Sequence, residues 1–342
     1  MTEANSVLAV TMPGPQLSIV LPIFNEAELL PQLYARLRRV LDQLRLPCEL
    51  IFVDDGSRDA SLAQLRAMQR HDGRILIVEL SRNWGHQAAL SAGLATAQGD
   101  AVVMMDADLQ DPPELIAELV AAWQAGAQVV VAERRSRAEH GPRRWLTAAF
   151  YRLFGYLSDF PLPDRGGVFC LLGREPAQEL RRLGEVNRYL PGLRAWIGFP
   201  AAAVAYDRAG RERGRSRQSL WRLLRYGFDA VFSFSYKPMR LSILIGLVIA
   251  GLALLGAAVV VIERLRGAGL FHQPVIVGYT STIFAVLFLG GVQLVCLGLI
   301  GEYIGRIYDE VKARPLYIVR RLHRAEPDRA EAERGGSAAN PL

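Results

Sequence analysis

Asp106 and Asp108 stand one residue apart, directly after the apolar run Ala101-Val102-Val103-Met104-Met105. In an extended strand, residues i and i+2 point the same way, so both carboxylates can leave the strand's end toward one divalent cation. A hard cation such as Mg²⁺ takes oxygen ligands, commonly one or two protein carboxylates together with substrate phosphates. The pair is therefore suited to holding a nucleotide diphosphate. Read alone, the stretch Asp108-Leu109-Gln110-Asp111-Pro112-Pro113 is also a strand ending in a solvated turn before a helix.

Two more polar clusters follow β-rich runs. Pro22-Ile23-Phe24-Asn25-Glu26 closes the run that starts at Leu17, and Asp54-Asp55-Gly56-Ser57 closes the run that starts at Glu49. Each has a plainer reading: Asn25 and Ser57 as helix caps, and Gly56 as the supplier of a positive φ. Three such clusters at strand ends argue more strongly than any one of them.

The elements that must position them are predicted from hydrophobic periodicity. Strands are expected at Leu17 to Pro22, Glu49 to Asp54, Ile75 to Leu80, Ala101 to Asp106 and Val129 to Glu133, with helices over Glu28 to Leu44 and Pro113 to Ala125 between them. Strands alternating with helices predict an α/β domain with a mostly parallel sheet covered on both faces. Ligands bind such sheets beyond the carboxyl ends of the strands. Residues 139–210 are harder to parse and are assigned to the acceptor-facing half of the domain.

The chain has 342 residues, 51% of them apolar, and a net charge of +6. Leu241 to Ile262 and Pro274 to Gly301 each lack any charged residue. At 1.5 Å rise per residue, each exceeds the roughly 30 Å hydrocarbon core of a bilayer, which predicts two transmembrane helices. Gly246, Gly251, Gly256, Gly290, Gly291 and Gly298 would let the two helices approach closely. Arginine and lysine crowd the outer flanks, while the connecting loop carries only Arg264 and Arg266. By the positive-inside rule, both termini and the catalytic domain face the cytoplasm, on a multi-pass inner-membrane protein. Basic residues clustered beside the spans suit anionic lipid better than nucleic acid.

Residues 219–240 are aromatic and basic, as expected of an interfacial amphipathic helix lying on the bilayer. The expected organisation is an N-terminal extension over 1–16, a catalytic domain over 17–218, that helix, a membrane hairpin over 241–301 and a cytoplasmic tail over 302–342. No secretory signal is expected in Met1 to Gln16. Cys48, Cys170 and Cys296 are widely spaced and odd in number, so free buried thiols are expected and no zinc site or disulfide framework.

In order along the chain, Ile19-Val20-Leu21-Pro22-Ile23-Phe24-Asn25-Glu26, Val53-Asp54-Asp55-Gly56-Ser57-Arg58-Asp59, Ser81-Arg82-Asn83-Trp84-Gly85-His86-Gln87, Asp106-Ala107-Asp108-Leu109-Gln110-Asp111-Pro112-Pro113, Arg134-x-x-Arg137 and Gly301-Glu302-Tyr303-Ile304-Gly305-Arg306-Ile307-Tyr308 resemble the family 2 glycosyltransferases of GT-A fold. The similarity is to those members that act on polyprenyl phosphates and carry two C-terminal spans. It implies inverting transfer of a sugar from a nucleotide sugar, a UDP-sugar by expectation, to a polyprenyl phosphate such as undecaprenyl phosphate. It also implies Mg²⁺ or Mn²⁺ on Asp106 and Asp108, and a nucleotide-sugar pocket lined by Pro22, Asn25, Glu26, Asp54 and Asp55. A homo-oligomer is expected. The chain departs from the pattern where relatives carry an acid and an arginine near the sugar, because Val168 and Cys170 fall there; Asp164 is the candidate substitute.

A lipid phosphate, its second pKa being about 6 by analogy with phosphorylated side chains, is already anionic and needs no strong base. It needs positive charge to bring two anions together. Arg211, Ser216 and Arg217 lie in a segment similar to the family's Arg-x-x-Gly-x-Ser-Lys, with guanidinium forks suited to phosphate oxygens. The plainer reading of this segment is a charge run on acidic lipid. Arg134 and Arg137, just after the fifth strand, are nucleotide-sugar candidates that could clamp either phosphate group, or are ordinary surface charge, and His86 reads as a helix-start or core histidine. A processive polysaccharide synthase is disfavoured because Gly141 stands where a Gln-x-x-Arg-Trp motif would need Gln. The remaining alternative is a non-catalytic scaffold that kept the fold and binds sugar nucleotide or lipid.

Overall fold

The computed structural model describes residues 14–134, 166–207 and 277–324, with single positions and short pieces between 239 and 262. They fall into two compact units, the first holding the described residues up to 207 and from 315 onward, the second the helical residues from 239 to 314.

The first unit is an eight-stranded sheet: β1 (Leu17–Ile23), β2 (Cys48–Asp54), β3 (Ile75–Leu80), β4 (Ala101–Met104), β5 (Val129–Arg134), β6 (Gly166–Gly173), β7 (Ala201–Tyr206) and β8 (Val319–His323), in the order β7-β5-β6-β4-β1-β2-β3-β8. The predicted strands all form, with boundaries shifted by at most two residues. β4, β1, β2 and β3 are mutually parallel, so the segments after β1, β2 and β4 emerge on one rim. The sheet is mostly parallel, as expected, but mixed: β6 runs antiparallel to β4 and β5, and β8 antiparallel to β3. Neither strand sits in the helix-alternating pattern from which a parallel sheet is predicted.

Helices cover the sheet: α1 (Leu30–Leu44), α2 (Ser61–Gln69), α3 (His86–Thr96), a 3₁₀ turn (Pro113–Leu115) leading into α4 (Ile116–Gln124), α5 (Arg174–Arg182) and α6 (Leu190–Trp196). α1 buries Leu30, Leu33, Leu37, Val40 and Leu41, one stripe at helical spacing, against Leu17, Ile19, Leu21 and Ile23 of β1. α3 lies on the opposite face and is buried on all sides from Ala88 to Leu94. It approaches so closely that a Cβ on Gly93 would stand 2.2 Å from Val20 Cγ1. Only glycine fits there, and this seating fixes where the start of α3 meets the rim.

β8 was not expected, since it comes from the stretch assigned to the tail. Glu79 of β3 holds it: the carboxylate accepts from His323 Nε2 at 2.9 Å and from Arg66 Nη2 at 3.0 Å.

In the second unit, α7 (Val277–Lys312) has 36 residues, about 54 Å at 1.5 Å per residue. Its portion Phe288–Lys312 is the one candidate membrane span among the described residues, and none of its apolar window is buried. The described residues between 242 and 252 are also helical. Among the described residues, a Cβ on Gly246, Gly251, Gly290, Gly291 or Gly298 would meet nothing within 4 Å. Gly246 instead lines an apolar cavity of about 500 Å³ with Ile249, Leu289, Val292 and Cys296. The interfacial segment 219–238 lies outside the described residues.

Candidate functional site

The rim carries two adjoining cavities. The first, about 410 Å³, is lined by Pro22, Glu26, Asp55, Gly85, His86, Asp106 and Asp108; the second, about 430 Å³, by Asn25, Asp54, Gly56, Ser57, Arg58, Glu79, Arg82 and Arg320. Phe24 and Asn83 line both. The nucleotide-site candidates are thus brought together, divided between two lobes. Pro22, Glu26 and Asp55 share the lobe of Asp106 and Asp108, whereas Asn25 and Asp54 line the other.

β4 ends at Met104, yet strand-like alternation carries on. Ala107 is buried at 5% exposure, whereas Asp106 and Asp108 are half-buried, and all three line the cavity. Asp106 Oδ1 lies 2.6 Å from His86 Nε2. Asp108 accepts from the Gln110 backbone N–H at 3.1 Å and from Gln110 Nε2 at 2.6 Å. Leu109 between them takes a left-handed φ of 59° to make that turn. Among the described residues, no three His, Cys, Asp or Glu side chains are grouped to cage a metal. Each carboxylate retains unused lone pairs, and two carboxylates completed by ligand oxygens are the donor set Mg²⁺ commonly takes. The residues fit a cation shared with a bound diphosphate, not one held by protein alone.

His86 does start α3, but it is not a core residue. Its side chain is 45% exposed and faces the carboxylates. Burial alone would depress its pKa, but the hydrogen bond and charge of Asp106, with Asp108 and Asp55 nearby, outweigh that and raise it. Glu26 is pushed up, first by burial and then by the charges of Asp108 and Asp59. The lobe is thus strongly negative.

The loops around it are cross-tied by short polar side chains. Asn25, at φ 56°, donates its N–H to Ser57 Oγ at 3.0 Å and accepts from the Arg58 N–H at 2.8 Å. Asp55 accepts from the N–H groups of Trp84 (2.7 Å) and Gly85 (2.9 Å), so each of its oxygens takes one bond that clamps the loop after β3. Gly56, at φ 71°, sits where a Cβ would be 2.6 Å from the Arg82 carbonyl carbon. Asn25 and Asp55 are therefore loop fasteners as well as lining residues.

Arg134, at the end of β5, donates from Nε to Tyr206 Oη at 3.1 Å and lies 3.6 Å from Asp111. The Tyr206 hydroxyl donates in turn to Asp111, which is 1% exposed. Burial, followed by the Asp111 hydrogen bond, pushes the Tyr206 hydroxyl up to about 12. Cys170 is fully buried opposite Met104, a core position and not a ligand contact. Continuing that register would set Val168 opposite Asp106. Arg137, Asp164, Arg211, Ser216 and Arg217 lie outside the described residues.

Sequence reasoning missed Asp111 and Tyr206, the partnership of His86 with Asp106, and Arg320. For Asp111 a signal existed, since it lies three residues beyond Asp108; Tyr206 and Arg320 carry none.

Comparison with known proteins agrees with this architecture. Residues 18–181 match Glycosyl transferase family 2, and residues 237–307 match the GtrB C-terminal hairpin. An uncharacterized glycosyltransferase, sll0501, of Synechocystis is 43% identical over 89% of this chain and 94% of its own. A SfII prophage-derived bactoprenol glucosyl transferase of Shigella flexneri is 39% identical over 91% of this chain and 100% of its own. The mannosyltransferase PcManGT of Pyrobaculum calidifontis, solved with GDP-Man and Mn²⁺, aligns over 86% of this chain and 88% of that one at 20% identity and a TM-score of 0.45. With relatives this similar along nearly its whole length, the chain belongs to glycosyl transferase family 2.

Proposed function

We propose that this enzyme transfers a sugar, with inversion, from a nucleotide sugar to the phosphate of a polyprenyl lipid at the cytoplasmic face of the membrane. The observation that carries the reading is the placement of Asp106 and Asp108 in one lobe of a two-lobed rim cavity whose other lobe has the size and polar lining for a nucleoside. A divalent cation bound there would neutralise the departing diphosphate. Asp106 and Asp108 would hold it, His86 and Gln110 would orient those carboxylates, and Arg134, held by Tyr206 at the end of β5, would meet the donor diphosphate. The lipid acceptor is supported by relatives named bactoprenol glucosyl transferase, by the hairpin match and by the exposed apolar length of α7. Two spans, a UDP-linked donor, and an acceptor-phosphate role for Arg211, Ser216 and Arg217 belong to this reading.

The test is radiolabelled nucleotide-sugar transfer into butanol-extractable lipid by membranes containing the protein, with Mg²⁺ or Mn²⁺. Label is expected in the lipid fraction for one donor of a panel, and to vanish in Asp108→Ala while the protein remains in the membrane. No transfer across the panel would favour a binding scaffold, and unchanged transfer by Asp108→Ala would remove that carboxylate from the site.

A further inference from the structure

Arg320 belongs to a segment that follows the apolar helix α7, outside residues 18–181 that match the transferase family, yet it lines the nucleoside-sized lobe. A bulge puts it there. β8 pairs Arg321 with Glu79 and Val319 with Leu80, so Arg320 is an extra residue with no partner on β3. Bulges of this kind re-aim a side chain at a sheet edge. The ladder resumes beyond it, where the Ser81 N–H donates to the Ile318 carbonyl at 2.9 Å. The re-aimed guanidinium reaches Glu79, Nη1 to Oε1 3.3 Å, while its side chain remains 70% exposed. That contact engages one nitrogen of a planar fork carrying five N–H donors. Glu79 is already served by His323 and Arg66, so Arg320 is not needed to neutralise it.

Position along the sheet says which part of a donor Arg320 would meet. β8 is four strand spacings from β4 in the order β4-β1-β2-β3-β8, about 19 Å at the usual interstrand distance. The carboxylates that follow β4 mark the diphosphate end, so Arg320 stands at the far end, where the base would lie. Phe24, 43% exposed, offers a ring face between the two lobes for a planar group.

We propose that Arg320 is a base-reading residue of the donor site, donating to a carbonyl oxygen of the nucleobase, and that the segment beyond the apolar helix thereby completes the nucleotide pocket. This rests on the donor reading above. Uracil and guanine present such a carbonyl beside a ring N–H; adenine presents none.

Full-length protein in detergent, with Mn²⁺, is titrated calorimetrically with UDP, GDP, CDP, ADP and an abasic ribosyl diphosphate. Arg320→Ala is expected to weaken the preferred nucleotide roughly 10- to 100-fold, as for a lost hydrogen bond from a charged donor, and to leave the abasic compound's affinity unchanged. Arg320→Lys, which keeps the charge beside Glu79 but not the fork, should lose much of the same preference even if Arg320→Ala loosens β8. Arg321→Ala on the same strand should bind as wild type. Equal affinity of Arg320→Ala and wild type would overturn the proposal, as would an equal loss for the abasic compound, which would assign Arg320 to the phosphates. Wild-type protein that binds none of the nucleotides would sink the donor reading and this proposal with it.

Discussion

Asp55→Asn separates loop-fastening from ligand contact. Asp55 is 3% exposed, its N–H donates to the Ile23 carbonyl at 2.8 Å, and its carboxylate accepts two backbone N–H groups at 2.7 and 2.9 Å. A hydrogen bond to a charged group contributes about 1.5–3 kcal/mol net. Burial raises this carboxyl's pKa, so part of that gain is offset by desolvation. Asparagine keeps one acceptor and turns an NH₂ toward the other N–H, so one bond is lost and two donors face each other. The expected cost is about 2–4 kcal/mol, a large share of the 5–15 kcal/mol typical of a domain. In thermal unfolding followed by tryptophan fluorescence, that corresponds to a midpoint lower by roughly 5–15 °C. The loop so released carries Ser81, Arg82 and Asn83 into the cavity and leads to His86. Nucleotide affinity should therefore fall with stability. A variant within about 0.5 kcal/mol of wild type would refute the clamp, and one that unfolds early but binds nucleotide as tightly as wild type would refute the coupling of clamp to pocket.

Tyr206→Phe removes the hydroxyl between Arg134 and the buried Asp111; it should cost about 1–3 kcal/mol and raise the donor KM, and unchanged kinetics would exclude Arg134 from donor binding. For Glu79, burial raises the carboxyl's pKa, but the His323 hydrogen bond and the charges of Arg320 and Arg66 outweigh it and hold the group below its ordinary 4.5. Because the folded-state value is depressed, its stabilisation is fully present above 4.5 and is lost as pH falls through the folded value. Amide exchange of β8 should accelerate on acidification in that window, and Glu79→Gln should show the faster exchange already at neutral pH; equal protection of both proteins there would refute the anchor.

The α/β half of the molecule was legible because β1 to β5 are apolar runs and their helices carry apolar stripes, so the acidic turns after β1, β2 and β4 had to share a rim. What escaped is physically different. β8 reads Val-Arg-Arg-Leu-His, with no apolar alternation, because it is an edge strand held by ion pairs to Glu79 and not by burial. β6 reverses direction through residues without helix-strand alternation, so its antiparallel pairing was invisible. His86 starts its helix as read, but its partnership with Asp106 escaped because periodicity reports which face a helix buries and not what its first side chain meets across a loop.

The electrostatics of the first lobe give the cation of the proposed reading a reason beyond motif. Glu26, Asp55, Asp106 and Asp108 line it, with one imidazole among them. Burial, then Asp108 and Asp59, already disfavours ionisation of Glu26. A donor diphosphate would bring more negative charge into the same space, and like charges about 4 Å apart repel by roughly 4 kcal/mol at an effective dielectric constant of 20. Arg134 cannot offset this alone, since its guanidinium is tied to Tyr206 and Asp111. A divalent ion on Asp106 and Asp108 would turn that repulsion into attraction. Ion and donor would then each complete the other's site, so their affinities would rise together by the same factor.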